Sequence, residues 1–137
     1  MRRVFLAIAF LFILTGSLNA QVKINDRTTI DFATIDKGRV ILGAKDDYTA
    51  KLSRFDFAAK MHTSKEVNEL DYCALAADSV VNWTDEEKKN IEPVLEQVDK
   101  DFAFIKWQLP ATVYLIKTNG KEENSMSYTR GNGVVLP

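Results

Sequence analysis

Residues 111–137 read ATVYLIKTNGKEENSMSYTRGNGVVLP, and this stretch decides the fold class. Ala111 to Thr118 is a nearly unbroken apolar run of strand length, rich in β-branched and aromatic side chains, as a strand buried on both faces requires. Asn119-Gly120 follows it, a pair suited to the positive φ angles of a two-residue hairpin turn. The next segment alternates, with Met126, Tyr128 and Arg130 on one side and Ser127 and Thr129 on the other. Gly131-Asn132-Gly133 makes a second turn, and Val134-Val135-Leu136 returns. Three strands joined by two turns predict a small antiparallel meander. Only Pro137 follows the last apolar strand, so the expectation is a terminal strand that this chain leaves uncovered.

Working back from Ala111, the period changes. The patterns between residue 31 and about residue 106 are helical, so the expected fold class is α+β: a helical N-terminal half followed by a small antiparallel three-stranded meander. The best helix candidate is TDEEKKNIEPVLEQVDKDFAFIKW, residues 84–107. Thr84 and Glu87 form a capping box, and Ile91, Val94, Leu95, Val98, Phe102 and Ile105 make one stripe. Pro93 in its middle predicts a kink or a break into two helices. Ser53 with Asp56 marks another helix start, and Thr63 with Glu66 a third. In the segment after Ser53, Phe55, Ala58, Ala59 and His62 share one face and Phe57 and Met61 another, which predicts a helix apolar on two sides and sandwiched in the core.

The N-terminus carries a different signal. Met1-Arg2-Arg3 is positively charged, Val4 to Leu14 is apolar, and Leu18-Asn19-Ala20 ends on a small residue. That order reads as a secretory signal peptide over residues 1–20, too short an apolar run to span a membrane, which takes about 20 residues. The expected organisation is therefore a leader, 1–20, and a single α+β domain, 21–137. The expected location is exported, periplasmic or secreted, with no membrane contact after cleavage. Without Arg2 and Arg3, 16 of the 18 basic side chains remain against 19 acidic ones, a net charge of −3. No basic stripe suggests nucleic acid as a partner.

Few residues here carry chemistry. Cys73 is the single cysteine, so no intramolecular disulfide can form, and its setting in LDYCALAADSVV suits a small buried hydrophobe. His62 is the single histidine, so one copy of the chain assembles neither a His-rich zinc site nor a recognisable Ser-His-Asp triad. Asp46-Asp47, Asp85-Glu86-Glu87 and Glu122-Glu123 are sequence neighbours whose side chains diverge, the pattern of solvated faces and helix starts. Gly131-Asn132-Gly133 opens no helix and lacks the setting of a phosphate cradle. No catalytic residue, metal ligand or cofactor is assigned to this chain.

The stretch LPATVYLIKTNGKEENSMSYTRGNGVVLP, together with GRVILGAKDDYTAKLSRFDFAAKM and NWTDEEKK, resembles the N-terminal region of a family of secreted bacterial zinc-metallopeptidase-like proteins. In that family the chain continues into a helix bearing HExxH, whose two histidines bind zinc and whose glutamate is the general base. This sequence contains no HExxH, so zinc is implied for full-length relatives only. The resemblance also implies a sheet whose edge strand pairs with an extended substrate through its backbone. On that analogy Ser127, Tyr128, Thr129 and Arg130 line a substrate cleft. The structural alternative is that Tyr128 packs and Arg130 pairs with Glu122 or Glu123.

Two functional expectations follow. In one, the chain is the non-catalytic N-terminal part of a secreted zincin-like peptidase, truncated before the zinc motif and inactive alone. In the other, it is a small exported binding module that uses its exposed C-terminal strand. The expected partner is a peptide or a missing C-terminal half, engaged through the terminal strands.

Overall fold

The computed structural model describes residues 21–108, 111–121 and 127–137. Its centre is a five-stranded sheet in the order β1-β2-β3-β5-β4, formed by β1 (Gln21–Lys23), β2 (Thr28–Phe32), β3 (Ala111–Lys117), β4 (Tyr128–Arg130) and β5 (Gly133–Leu136). Four helices lie between β2 and β3 in the chain: α1 (Ile35–Gly43), α2 (Arg54–Lys60), α3 (Glu69–Asp78) and α4 (Asp85–Ile105).

This overturns the expected helical half followed by an antiparallel meander. The sheet is mixed, and strands stand at both ends of the sequence. β3 runs parallel to β2 on one side, with Ile30 opposite Val113, and parallel to β5 on the other, with Leu115 opposite Val134. Only the outer pairs, β1 with β2 and β4 with β5, are antiparallel. The strand order is invisible to local pattern because β2 and β3 meet across the whole helical stretch. β1 and β2 themselves are legible in retrospect. Thr28-Thr29-Ile30-Asp31-Phe32 is β-branched and alternating, and the Asn25 carboxamide oxygen accepts from the Arg27 and Thr28 N–H groups to close the turn before it.

The Asn119-Gly120 pair does not join neighbouring strands. Gly120 does take a positive φ of 70°. However, β3 hands its outgoing chain past β5 to β4, and the Asn119 N–H donates to the Ser79 carbonyl in the α3–α4 connection. The second turn is placed as expected: Gly131, with φ 53°, reverses the chain from β4 into β5. β5 then slots between β3 and β4, and Val135 is 0% exposed. The expectation of an uncovered terminal strand is corrected by that position.

Helices cover both faces because β3 is apolar on both. Ile116 points to one side, where Leu42 of α1, Ala76 of α3, Val80 and Val135 form a core with Ile35, Ile41, Tyr114 and Tyr128 around it. Leu115 points to the other, where Ile30, Phe32 and Ile24 meet Leu95 of α4, flanked by Ile91, Phe102 and Trp83. A third cluster joins α2 to α3 through Phe57, Val67, Tyr72 and Cys73.

The helix caps follow local rules. Thr84 and Glu87 make the capping box of α4, and Ser53 and Asp56 that of α2. α4 continues through Pro93 without a break, and its inward stripe narrows to buried Leu95 flanked by half-buried Ile91, Val98 and Phe102, leaving Val94 and Ile105 in solvent. Lys106 ends it in the left-handed region, with the Trp107 N–H reaching back to the Phe102 carbonyl and the two rings packed edge to face.

Two further expectations fail. α2 is not sandwiched: Phe57 is buried but Phe55 is 83% exposed, because α2 meets the body only along the side facing α3. Thr63 and Glu66 cap nothing. Asn68 caps α3 instead, accepting from the Asp71 N–H, while Thr63 accepts from Lys65 in a local turn.

Candidate functional site

β4 ends the strand order on the side away from β1, so one of its edges pairs with β5 and the other has no strand partner among the described residues. All four residues expected to line a cleft fall on or beside it, yet they separate sharply by environment. Ser127 and Thr129 are exposed, Tyr128 is half-buried, and Arg130 is 0% exposed. The alternation of a strand explains the split. Tyr128 and Arg130 turn toward the α1 side of the sheet and Thr129 toward the other.

Arg130 is buried, with two of its three guanidinium nitrogens hydrogen-bonded and Nη1 left without a partner among the described residues. Its Nε donates to Asp46 Oδ2 at 2.9 Å, and Nη2 donates to the Ala44 carbonyl at 2.6 Å and the Leu42 carbonyl at 3.4 Å. Leu42 and Ala44 flank the C-terminus of α1, whose last turn has no basic side chain of its own. A cation from 86 residues away in sequence therefore sits on the negative end of that helix. The Arg130 guanidinium also lies 5.5 Å from the centre of the Tyr48 ring, and Tyr48 stacks on Tyr128 at 6.1 Å. The ion-pair partner is thus Asp46. Glu122, Glu123 and Met126 lie outside the described residues.

Asp46 is shaped for this role by its neighbours. Its other oxygen accepts from the Tyr48 and Thr49 N–H groups at the entry to the single helical turn Thr49–Lys51. Burial pushes the Asp46 carboxyl upward, but the Thr49 N–H, the Arg130 guanidinium and the Tyr48 N–H outweigh it and hold the carboxyl below its ordinary value. Arg130 responds in the opposite sense. Burial disfavours its charge, and the bond to Asp46 and the attraction of that carboxylate more than restore it. The buried Thr49 hydroxyl continues the network to Glu69, which is held low by Lys45 first and Thr49 second.

This arrangement ties β4 to the end of α1. Both carboxylates sit below the usual range, so neither is poised to donate a proton near neutral pH. Among the described residues no three His, Cys, Asp or Glu side chains converge on a point where a metal could sit. His62 stands exposed at a left-handed position after α2 and has no second histidine to join, so the residues present do not fit a zinc site. Cys73 is buried, with its thiol 3.7 Å from the Ala44 carbonyl.

No known family, characterised protein or solved structure matches the chain. The site therefore rests on its own geometry. Asp46 is the residue that sequence reasoning missed, taken there as half of a solvated Asp46-Asp47 pair. One local signal was available. Asp46 followed three residues later by Thr49 is the spacing at which a carboxylate bonds the N–H groups that follow it, and a carboxylate so held has a fixed direction in which a distant cation can meet it.

Proposed function

We propose that residues 21–137 form the non-catalytic N-terminal part of an exported zinc-metallopeptidase-like protein, whose contribution is an edge strand for an extended polypeptide. The observation that supports this reading is the place of Tyr128-Thr129-Arg130. These residues belong to the segment most specific to the resemblance, and they form an antiparallel strand at the free end of a mixed sheet. An edge of that kind recognises a polypeptide through backbone N–H and C=O groups, with side chains adding selectivity. On this reading the exposed Ser127 and Thr129 touch the incoming chain. Tyr128 and Arg130 hold the strand in position by anchoring it to Tyr48 and Asp46.

No catalytic step is assigned to this chain, because its sequence lacks the HExxH histidines and glutamate. The encoding DNA beyond the Pro137 codon, read in all three frames, tests the parentage. An HExxH-bearing stretch is expected, and its absence from every frame leaves a small exported binding module that uses β4 as the reading. Peptide hydrolysis by the purified chain in the presence of zinc would overturn the non-catalytic assignment itself.

A further inference from the structure

The opposite end of the sheet carries a second, independent feature. β1 is the other terminal strand, with no strand partner on its outer side among the described residues. Beside it a groove of about 280 Å³ opens between Val22, Lys23 and Ile24 and one face of α4, made by Glu92, Leu95, Glu96 and Asp99. Val22, Ile24 and Leu95 supply an apolar floor, and Glu92, Glu96 and Asp99 an acidic rim. These three carboxylates recur at helical spacing, so they face the groove together. None of them makes an ion pair or hydrogen bond within the described residues. The one cation of the groove, Lys23, is paired with Asp26 at 3.2 Å.

We propose that this groove docks an extended polypeptide segment with a basic side chain at every second position. Backbone pairing along β1 sets the occupant's conformation as a strand. Alternation then sends one set of its side chains to the α4 side of the sheet and the other set to the opposite face. On the α4 side, long basic chains lay their aliphatic stems on the floor and carry their charge to the rim. The charge of the rim selects lysine or arginine for that set. A second copy of this chain docked through the same edge is disfavoured, because two acidic rims would meet with like charge.

The test is a titration of the full chain, and in parallel of residues 21–137, with a fluorescent peptide of alternating lysine and valine. Anisotropy is read at low and high salt. Saturable binding is expected, weakened about tenfold in the combined variant Glu92→Gln, Glu96→Gln, Asp99→Asn and weakened again by salt. All three positions are exposed helix surface, so circular dichroism of the variant is expected to match the parent. Equal binding by the variant, equal binding of a glutamate–valine peptide, or complete displacement by spermine at matched charge would overturn the proposal. The last outcome would mean simple counterion attraction. Binding by residues 21–137 but not by the full chain would assign the groove to residues 1–20 and would also overturn it.

Discussion

At the scale of single residues, the fold turns on a charge in the wrong place by composition rules. A guanidinium with no exposure, and with Nη1 unbonded, is held by directional contacts on its other two nitrogens: a carboxylate on Nε and helix-end carbonyls on Nη2. Arg130→Met is expected to destabilise the chain by about 3 kcal/mol, since it leaves the Asp46 charge and two carbonyls without their donor. Arg130→Lys should recover little of that, because one ammonium cannot span Asp46 and Ala44 in the same fork. Urea unfolding of the three proteins measures both effects, and a lysine variant as stable as the parent would contradict the fork geometry.

Glu87 makes the corresponding pH statement. Lys117 first, and the Thr84 N–H second, pull its carboxyl from 4.5 to about 2. A folded value below the unfolded one stabilises above pH 4.5 and is lost as pH falls toward 2. The melting temperature of the parent should therefore exceed that of Glu87→Gln at neutral pH and converge with it across this window. A gap that does not change with pH would show that charge is not what the bond supplies.

At the scale of elements, packing and propensity disagree most clearly in α1. Gly38 lies inside that helix, where alanine is favoured over glycine by about 1 kcal/mol on propensity alone. A Cβ there would stand 2.7 Å from Val80 Cγ1 and 3.1 Å from Ile116 Cγ2, against a β-branched side chain that cannot swing away. Close approach of α1 to the sheet wins. Gly38→Ala should lower stability by about 1–3 kcal/mol, read from its denaturation midpoint, and a stabilised variant would mean the helix can lift from the sheet without loss. At Gly133 a Cβ would meet Ile116 Cδ1 at 2.7 Å and the Arg130 carbonyl oxygen at 3.1 Å, so Ile116 lies close to both glycines.

At the scale of the whole molecule, the sheet has a protected centre and two short edges. β3 is flanked by parallel partners and covered on both faces, while β1 and β4 have three residues each. Native-state hydrogen exchange is expected to leave β3 and its partners slowest and to open β1 and β4 through local fluctuations well before global unfolding. Equal protection across all five strands would mean that the edges open only with the core. Short edges are also how a sheet avoids pairing indiscriminately with other chains. Both docking surfaces argued above, β4 for an extended substrate-like segment and β1 with its acidic groove for a basic one, use these two edges.

What the sequence determined by itself was short in range, although not every local signal was read correctly: Thr63 and Glu66 cap nothing, and Asn119-Gly120 joins no neighbouring strands. The capping boxes at Ser53 and Thr84, the apolar β3 run, the glycine turn at 131 and the burial of Cys73 depend on neighbours within a few positions, and each could be read from spacing. The tertiary structure alone decided the strand order. Parallel pairing of Thr28 with Ala111 joins residues too distant for any local pattern to encode, and it is what pushes β4 to the edge and draws β5 inside. The same holds for the candidate site. The alternation in Tyr128-Thr129-Arg130 was legible, but which side would be buried was set by the α1 terminus and Asp46, delivered by a different part of the chain.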